Sequence, residues 1–189
     1  MLPRISSFAW IALAAAFCGS GGWIARGGDA PANNPVKLES LKWTQFMDRI
    51  ASNKQAKFTV VDAWATTCGP CKENFPHLVE MHHKYGKKGL AVISLSLDDN
   101  SDKKALVDAE KFLQEKKAEF TNILLDEEFG VGFEKLNIGA IPAVFLYGPD
   151  GKEIARFTME DPNNQFTYDD VEKAIVAVLD GKPIPKSSK

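Results

Sequence analysis

Cysteine and histidine are scarce in this chain of 189 residues: there are three of each. Three cysteines cannot form the framework of a disulfide-stapled domain, and so few histidines leave little material for metal ligation. Charge of one sign is also missing. Lys+Arg number 23 against Asp+Glu 25, a formal net charge of -2, so nothing in the balance points to nucleic acid or another polyanion. Beyond Arg26 no long apolar run occurs, which argues against a multi-span membrane protein. What remains, 44% hydrophobic and 25% charged, is an ordinary globular composition, long enough for one domain with a real core.

The N-terminus is the exception. No residue between Arg4 and Arg26 is charged, and the segment FAWIALAAAF is followed by Cys18-Gly19-Ser20-Gly21-Gly22. A basic start, about ten apolar residues and then small residues form the pattern of a secretory signal. With Trp23 and Ile24 included, the uncharged run is also just long enough for a membrane anchor. Lipidation at Cys18 is a third reading, although Phe17 stands where a small residue is wanted. All three place the rest of the chain outside the cytoplasm. The expected organisation is a signal or anchor over 1–28, a linker over 29–35, one domain over 36–181 and a polar tail over 182–189.

Within the domain, strand-like and helix-like stretches alternate, as in an α/β fold. Short strands are expected at 36–39 and 123–125. Longer ones are expected at 58–64 (FTVVDAW), which reads as a buried central strand, and at 90–97 (LAVISLSL). Ser40 is suited to cap a helix with Leu41, Trp43, Phe46, Met47 and Ile50 on one face. Further helices are expected at 68–85, with Pro76 inside it, at 102–117 and at 127–136. Strands 143–147 and 153–157 are joined by Gly148-Pro149-Asp150-Gly151, a hairpin turn. Thr167 caps a last helix running to residue 179.

The chemistry lies in Cys68-Gly69-Pro70-Cys71, directly after a strand and at a helix start. One turn of helix brings the two sulfurs within disulfide reach. The unpaired N–H groups and positive end of the helix favour a thiolate on the first cysteine. Cys68 is therefore expected to be the nucleophile and Cys71 the resolving thiol. Zinc would need a second cysteine pair or spaced histidines, and His77, His82 and His83 do not supply that spacing. Haem attachment would need histidine where Lys72 stands. Asp98-Asp99 reads as a turn or helix cap sooner than a cation site, so no metal is expected.

The segment FTVVDAWATTCGPCK resembles the active-site stretch of thioredoxins, and Gly139-Ala140-Ile141-Pro142 resembles their second active-site loop. The N-terminal segment, together with an extra helix and strand over about 101–125, is more similar to the exported TlpA/ResA-type thiol–disulfide oxidoreductases. The resemblance implies a thioredoxin-like α/β fold: a central mixed sheet flanked by helices, with a helix–strand insertion. It implies a cis peptide bond before Pro142 and a buried acid at Asp62, raised in pKa by desolvation and able to exchange a proton with Cys71. It assigns substrate contact to Trp64, Gly69, Pro70 and Ile141.

The implied activity is electron exchange with client protein disulfides, as a reductase supplied by an upstream thiol donor, with no organic cofactor, no nucleic acid and a monomeric chain. The N-terminus is a possible tether to the membrane. Three positions depart from the pattern. Thr67 stands where a second tryptophan is usual, Asn74 where a glutamate is frequent, and Ser94 where thioredoxin has a lysine beside the buried acid. The alternatives are a thiol peroxidase, for which no Thr/Pro-framed cysteine with an arginine partner is visible, and a non-catalytic binding module of the same fold.

Overall fold

The computed structural model describes residues 36–163 and 165–185. The expected signal or anchor, its Cys18 and the linker up to residue 35 lie outside the described residues. Described residues contain no helix long and apolar enough to cross a membrane.

The elements run β1 (Leu38–Leu41), α1 (Trp43–Ser52), β2 (Phe58–Trp64), α2 (Gly69–Tyr85), β3 (Leu90–Ser96), α3 (Lys103–Glu115), β4 (Thr121–Leu125), α4 (Val131–Leu136), β5 (Ala143–Tyr147), β6 (Glu153–Phe157) and α5 (Tyr168–Leu179). They build one six-stranded sheet of order β1-β4-β3-β2-β5-β6. The first four strands are mutually parallel where they pair, and β5 and β6 run antiparallel to their neighbours. The sheet is thus mixed, and the extra strand β4 lies inside it, between β1 and β3.

Every residue of β2 is buried, because helices cover both faces of the sheet. Phe58, Val60 and Trp64 enter one core layer with residues of α2, α3 and α5, while Val61 and Ala63 enter the other with Phe46 and Ile50 of α1. This two-sided burial explains why β2 reads as a continuous apolar run. One residue in the first row is polar: Asp62, on the same face as Cys71, Phe75 and Tyr168.

Two helix starts differ from the sequence reading. Ser40 does not cap α1; it sits in β1, paired with Leu124, and the cap position is Lys42. The first-turn N–H of Trp43 donates to Glu127 Oε1 at 2.8 Å. The helix expected over 127–136 begins at Val131 instead. Glu127 is engaged in capping α1, and Gly130 takes φ +93°, a left-handed conformation that breaks the helical path. Close packing then sets the next turn, since a Cβ on Gly132 would meet Leu125 and Leu97 side chains at 2.8 Å.

Candidate active site

The C-terminal ends of β2 and β3 carry the site. After Trp64 the chain turns through Ala65, Thr66 and Thr67 into α2, whose cap residue is Cys68. Pro70 falls in the first turn of the helix, where its missing N–H costs nothing. Pro76 lies inside α2, which continues unbroken to Tyr85.

Cys68 and Cys71 are joined in a disulfide, their Cα atoms 5.3 Å apart. The two sulfurs are not equivalent. Cys68 is partly exposed, whereas Cys71 is 1% exposed and packed in the core. The N–H of Cys71 donates to Cys68 Sγ at 3.2 Å, so the helix start directs a backbone donor at the outer sulfur. That arrangement stabilises negative charge on Cys68 and leaves Cys71 out of reach of a large partner.

The Ile141–Pro142 peptide bond is cis, and the Ile141 carbonyl oxygen lies 3.8 Å from Cys68 Sγ. Beside the disulfide is a cavity of about 580 Å³. Cys68, Gly69, Pro70 and Ile141 line it, together with Phe129 from the segment before α4 and Phe133 from α4 itself. Nothing lies within 4 Å of where a Gly69 Cβ would be, so the surface next to Cys68 is clear. Asp98, Asp99 and Asp102 also line the cavity, and among the described residues no basic side chain does.

Trp64 is placed elsewhere. It is 0% exposed and packs on Phe75 and Phe112, ring centroids 5.5 and 5.0 Å away. The expected substrate contact through its side chain is corrected: period-two alternation from Val60 and Asp62 turns the indole into the core, so it supports α2 from beneath.

Asp62 is 1% exposed. Desolvation raises its carboxyl from 3.8 to about 7, against the lowering effect of a hydrogen bond from Tyr168. That bond, Tyr168 hydroxyl to Asp62 Oδ2, is 2.7 Å long, while Oδ1 is buried without a hydrogen-bond partner. Ser94, paired with Asp62 across the sheet, gives its hydroxyl to Asn122 instead. The absence of lysine at 94 does not leave the acid alone, because a tyrosine 106 residues downstream in the chain reaches it.

A further residue escaped sequence reasoning as part of the site. Asp98 is the turn residue it was read as, but its carboxylate also holds the loop that precedes Cys68. Oδ1 accepts from the Thr66 N–H at 2.9 Å and the Thr66 hydroxyl at 2.6 Å, and Oδ2 accepts from Ser96 at 2.7 Å. The available signal was the position itself, an acid at the end of the strand beside the one that ends in Trp64. Asp102 caps α3 and Asp99 accepts from Ser101, as acids at such positions commonly do. Asn74 donates to the Pro70 carbonyl at 2.9 Å. The structure has no cluster of potential metal ligands among the described residues.

A mixed sheet with helices on both faces, a Cys-x-x-Cys disulfide at a helix start and a cis-proline loop beside it define a thioredoxin-like protein. The profile of the AhpC/TSA family matches residues 35–157, and the chain belongs to that family. A thiol-disulfide oxidoreductase ResA from Oceanobacillus iheyensis is 27% identical over 129 residues, 68% of this chain and 63% of the relative. Another ResA, from Bacillus cereus, is 25% identical and covers 59% of this chain and 60% of the relative. The chain thus spans about 60% of the length of these curated relatives. A crystal structure of a thiol:disulfide interchange protein DsbE from Chlorobium tepidum superposes with a TM-score of 0.54 at 30% identity, covering 68% of this chain and 84% of the other.

Proposed function

We propose that this chain is a thiol–disulfide oxidoreductase that reduces disulfides in client proteins outside the cytoplasm. The observation that carries the reading is the asymmetry of the dithiol. One sulfur opens onto a cavity and receives a backbone N–H, while the other is buried behind it. The ResA and DsbE relatives support the same chemistry by name.

In the reduced protein, the Cys68 thiolate attacks a client disulfide. A bond forms between Cys68 Sγ and one client sulfur, and the other client sulfur leaves as a thiolate and takes a proton from water. Cys71 then gives its proton to Asp62 and attacks Cys68 Sγ, which re-forms the Cys68–Cys71 disulfide and releases the second client sulfur. Two electrons pass to the client, and an upstream thiol donor returns them. Gly69, Pro70, Ile141 and the cis-Pro142 loop frame the approach to Cys68. The peroxidase alternative lacks support in the site, since neither Arg49 nor Arg156 lines the cavity.

An insulin-reduction assay with a small dithiol as donor tests the reading. Turnover that is lost in Cys68→Ser supports it; wild-type protein without turnover, or with hydrogen peroxide consumed in preference, overturns it. The uncharged segment between Arg4 and Arg26 supports export by signal or anchor. An alkaline phosphatase fusion after Asn34 is then active in a bacterial host, and an inactive cytosolic fusion contradicts export.

A further inference from the structure

Asp62 and Tyr168 lie 106 residues apart in the chain and meet in the core, where Tyr168 shares a hydrophobic cluster with Cys71. Tyr168 is the first residue of α5, and its place is fixed by the capping box before it. Thr167 Oγ1 accepts from the Asp170 N–H at 3.3 Å, and the Thr167 N–H donates to Asp170 Oδ2 at 3.0 Å. The Tyr168 ring is 4% exposed and is stacked on His77 of α2, centroids 5.7 Å apart. Its hydroxyl donates to Asp62 Oδ2 at 2.7 Å. Oδ1 is left buried and unpartnered, on the sheet face that packs against Cys71.

We infer that Tyr168 is a positioning residue for the resolving step, holding one carboxylate oxygen of Asp62 so that the other is open to take the proton of Cys71. This rests on the proposed role of Asp62 as the proton acceptor. A phenol donates well to a carboxylate and less well to a carboxylic acid, so the contact favours the ionised form that can accept. Burial opposes it, and the balance brings Asp62 to about 7 instead of higher. Tyr168 itself stays protonated, since burial first and the Asp62 charge second hold its hydroxyl far above the ordinary tyrosine range.

Few other ionisable groups face the pair. From α2 come Cys71, held here in the disulfide, and His77, stacked on the Tyr168 ring. The residues paired with Asp62 in β3 and β5 are Ser94 and Val144, neither of which titrates. From α3, Ala109 and Leu113 reach this layer.

The step can be read with a chromogenic aromatic disulfide, dithiobis-nitrobenzoate, added to the reduced protein. Cys68 attacks first and releases one nitrothiophenolate. Cys71 then loses its proton, displaces the second and closes the disulfide, so the slow phase reports resolution. In the wild type its rate rises with pH through an inflection near the Asp62 value of about 7. Tyr168→Phe keeps the ring and removes only the hydroxyl. Losing one hydrogen bond to a charged group moves the inflection up by roughly one pH unit, so resolution below it slows about tenfold. The two curves converge at alkaline pH. The same shift in a His77→Gln background excludes the histidine as its source.

If Asp62→Asn removes the inflection while Tyr168→Phe leaves it in place, Tyr168 only fills space and the inference fails. If Asp62→Asn leaves the wild-type curve unchanged, the reading of Asp62 beneath it fails as well. Should Tyr168→Phe not fold, 3-fluorotyrosine placed at 168 gives a more acidic donor of nearly the same size. It moves the inflection down, and an unmoved inflection overturns the inference.

Discussion

Asp62 is the residue where stability and chemistry oppose each other most directly. A carboxyl with one oxygen unpartnered and no solvent contact costs the folded state free energy whenever it is ionised. Its pKa is raised from 3.8 to about 7, so the folded protein holds this proton more tightly than the unfolded chain does. The stabilising contribution is complete below about pH 4 and is lost as pH rises through about 7; the span corresponds to about 4 kcal/mol at most. Asp62→Asn removes that dependence and leaves an oxygen for the Tyr168 hydroxyl. Denaturant midpoints of the oxidised proteins therefore diverge with pH: the asparagine variant becomes more stable than the wild type by roughly 2–4 kcal/mol on going from pH 5 to pH 8. Parallel stability curves would show that the carboxyl is not desolvated in the folded state. In the proposed mechanism, the charge that costs stability is the one that would accept the Cys71 proton.

Among the elements, the ends of β2 and β3 matter most, and Asp98 ties them together. It is 7% exposed, and its carboxylate gathers the Thr66 N–H, the Thr66 hydroxyl and the Ser96 hydroxyl. Asp98→Ala leaves these donors without their acceptor in a largely buried place, a loss of about 2 kcal/mol in unfolding free energy. It also loosens the turn that sets Cys68 at the start of α2, so the rate of Cys68 alkylation in the reduced protein falls; an unchanged rate and midpoint would remove Asp98 from the site. The segment before α4 contributes differently. Phe129 is 73% exposed and lines the cavity that Cys68 also lines, so in the proposed function an apolar side chain of a client would pack on it. Phe129→Ala raises KM for insulin about fivefold and leaves the reaction with a small disulfide as it is. Equal effects on both substrates would count against a docking role.

At the scale of the whole molecule, what could be read in the sequence is what neighbouring residues decide. The buried strand FTVVDAW, the dithiol at a strand-to-helix turn, the hairpin at Gly148-Pro149-Asp150-Gly151 and the Thr167 cap are all local patterns, and the structure contains each of them. The insertion was also legible as a helix and a strand, but not its place within the sheet, because pairing of β4 with β1 and β3 is a non-local choice. Misplaced features have the same origin. Glu127 caps α1 across 84 residues, Tyr168 reaches Asp62 across 106, and Asp98 reaches Thr66 across 32. No periodicity or cap rule records such contacts, since each exists only once the layers have packed. Trp64 failed for another reason: its aromatic ring fits a substrate surface and a core equally well, and the alternation of β2 decides between them.

The layers bring a solvent-facing sulfur and a hidden one to the end of the strand that buries Asp62, and in the proposed function client disulfides meet the first of these. Trapping tests it most directly. Cys71→Ser protein, reduced and mixed with insulin, should form a covalent adduct that migrates as a protein–peptide conjugate, is reversed by reductant and maps to Cys68. Cys68→Ser, with only the buried Cys71 left, should form none. Adducts that map equally to both cysteines, or to Cys71 alone, would contradict the assignment of Cys68 as the attacking thiol.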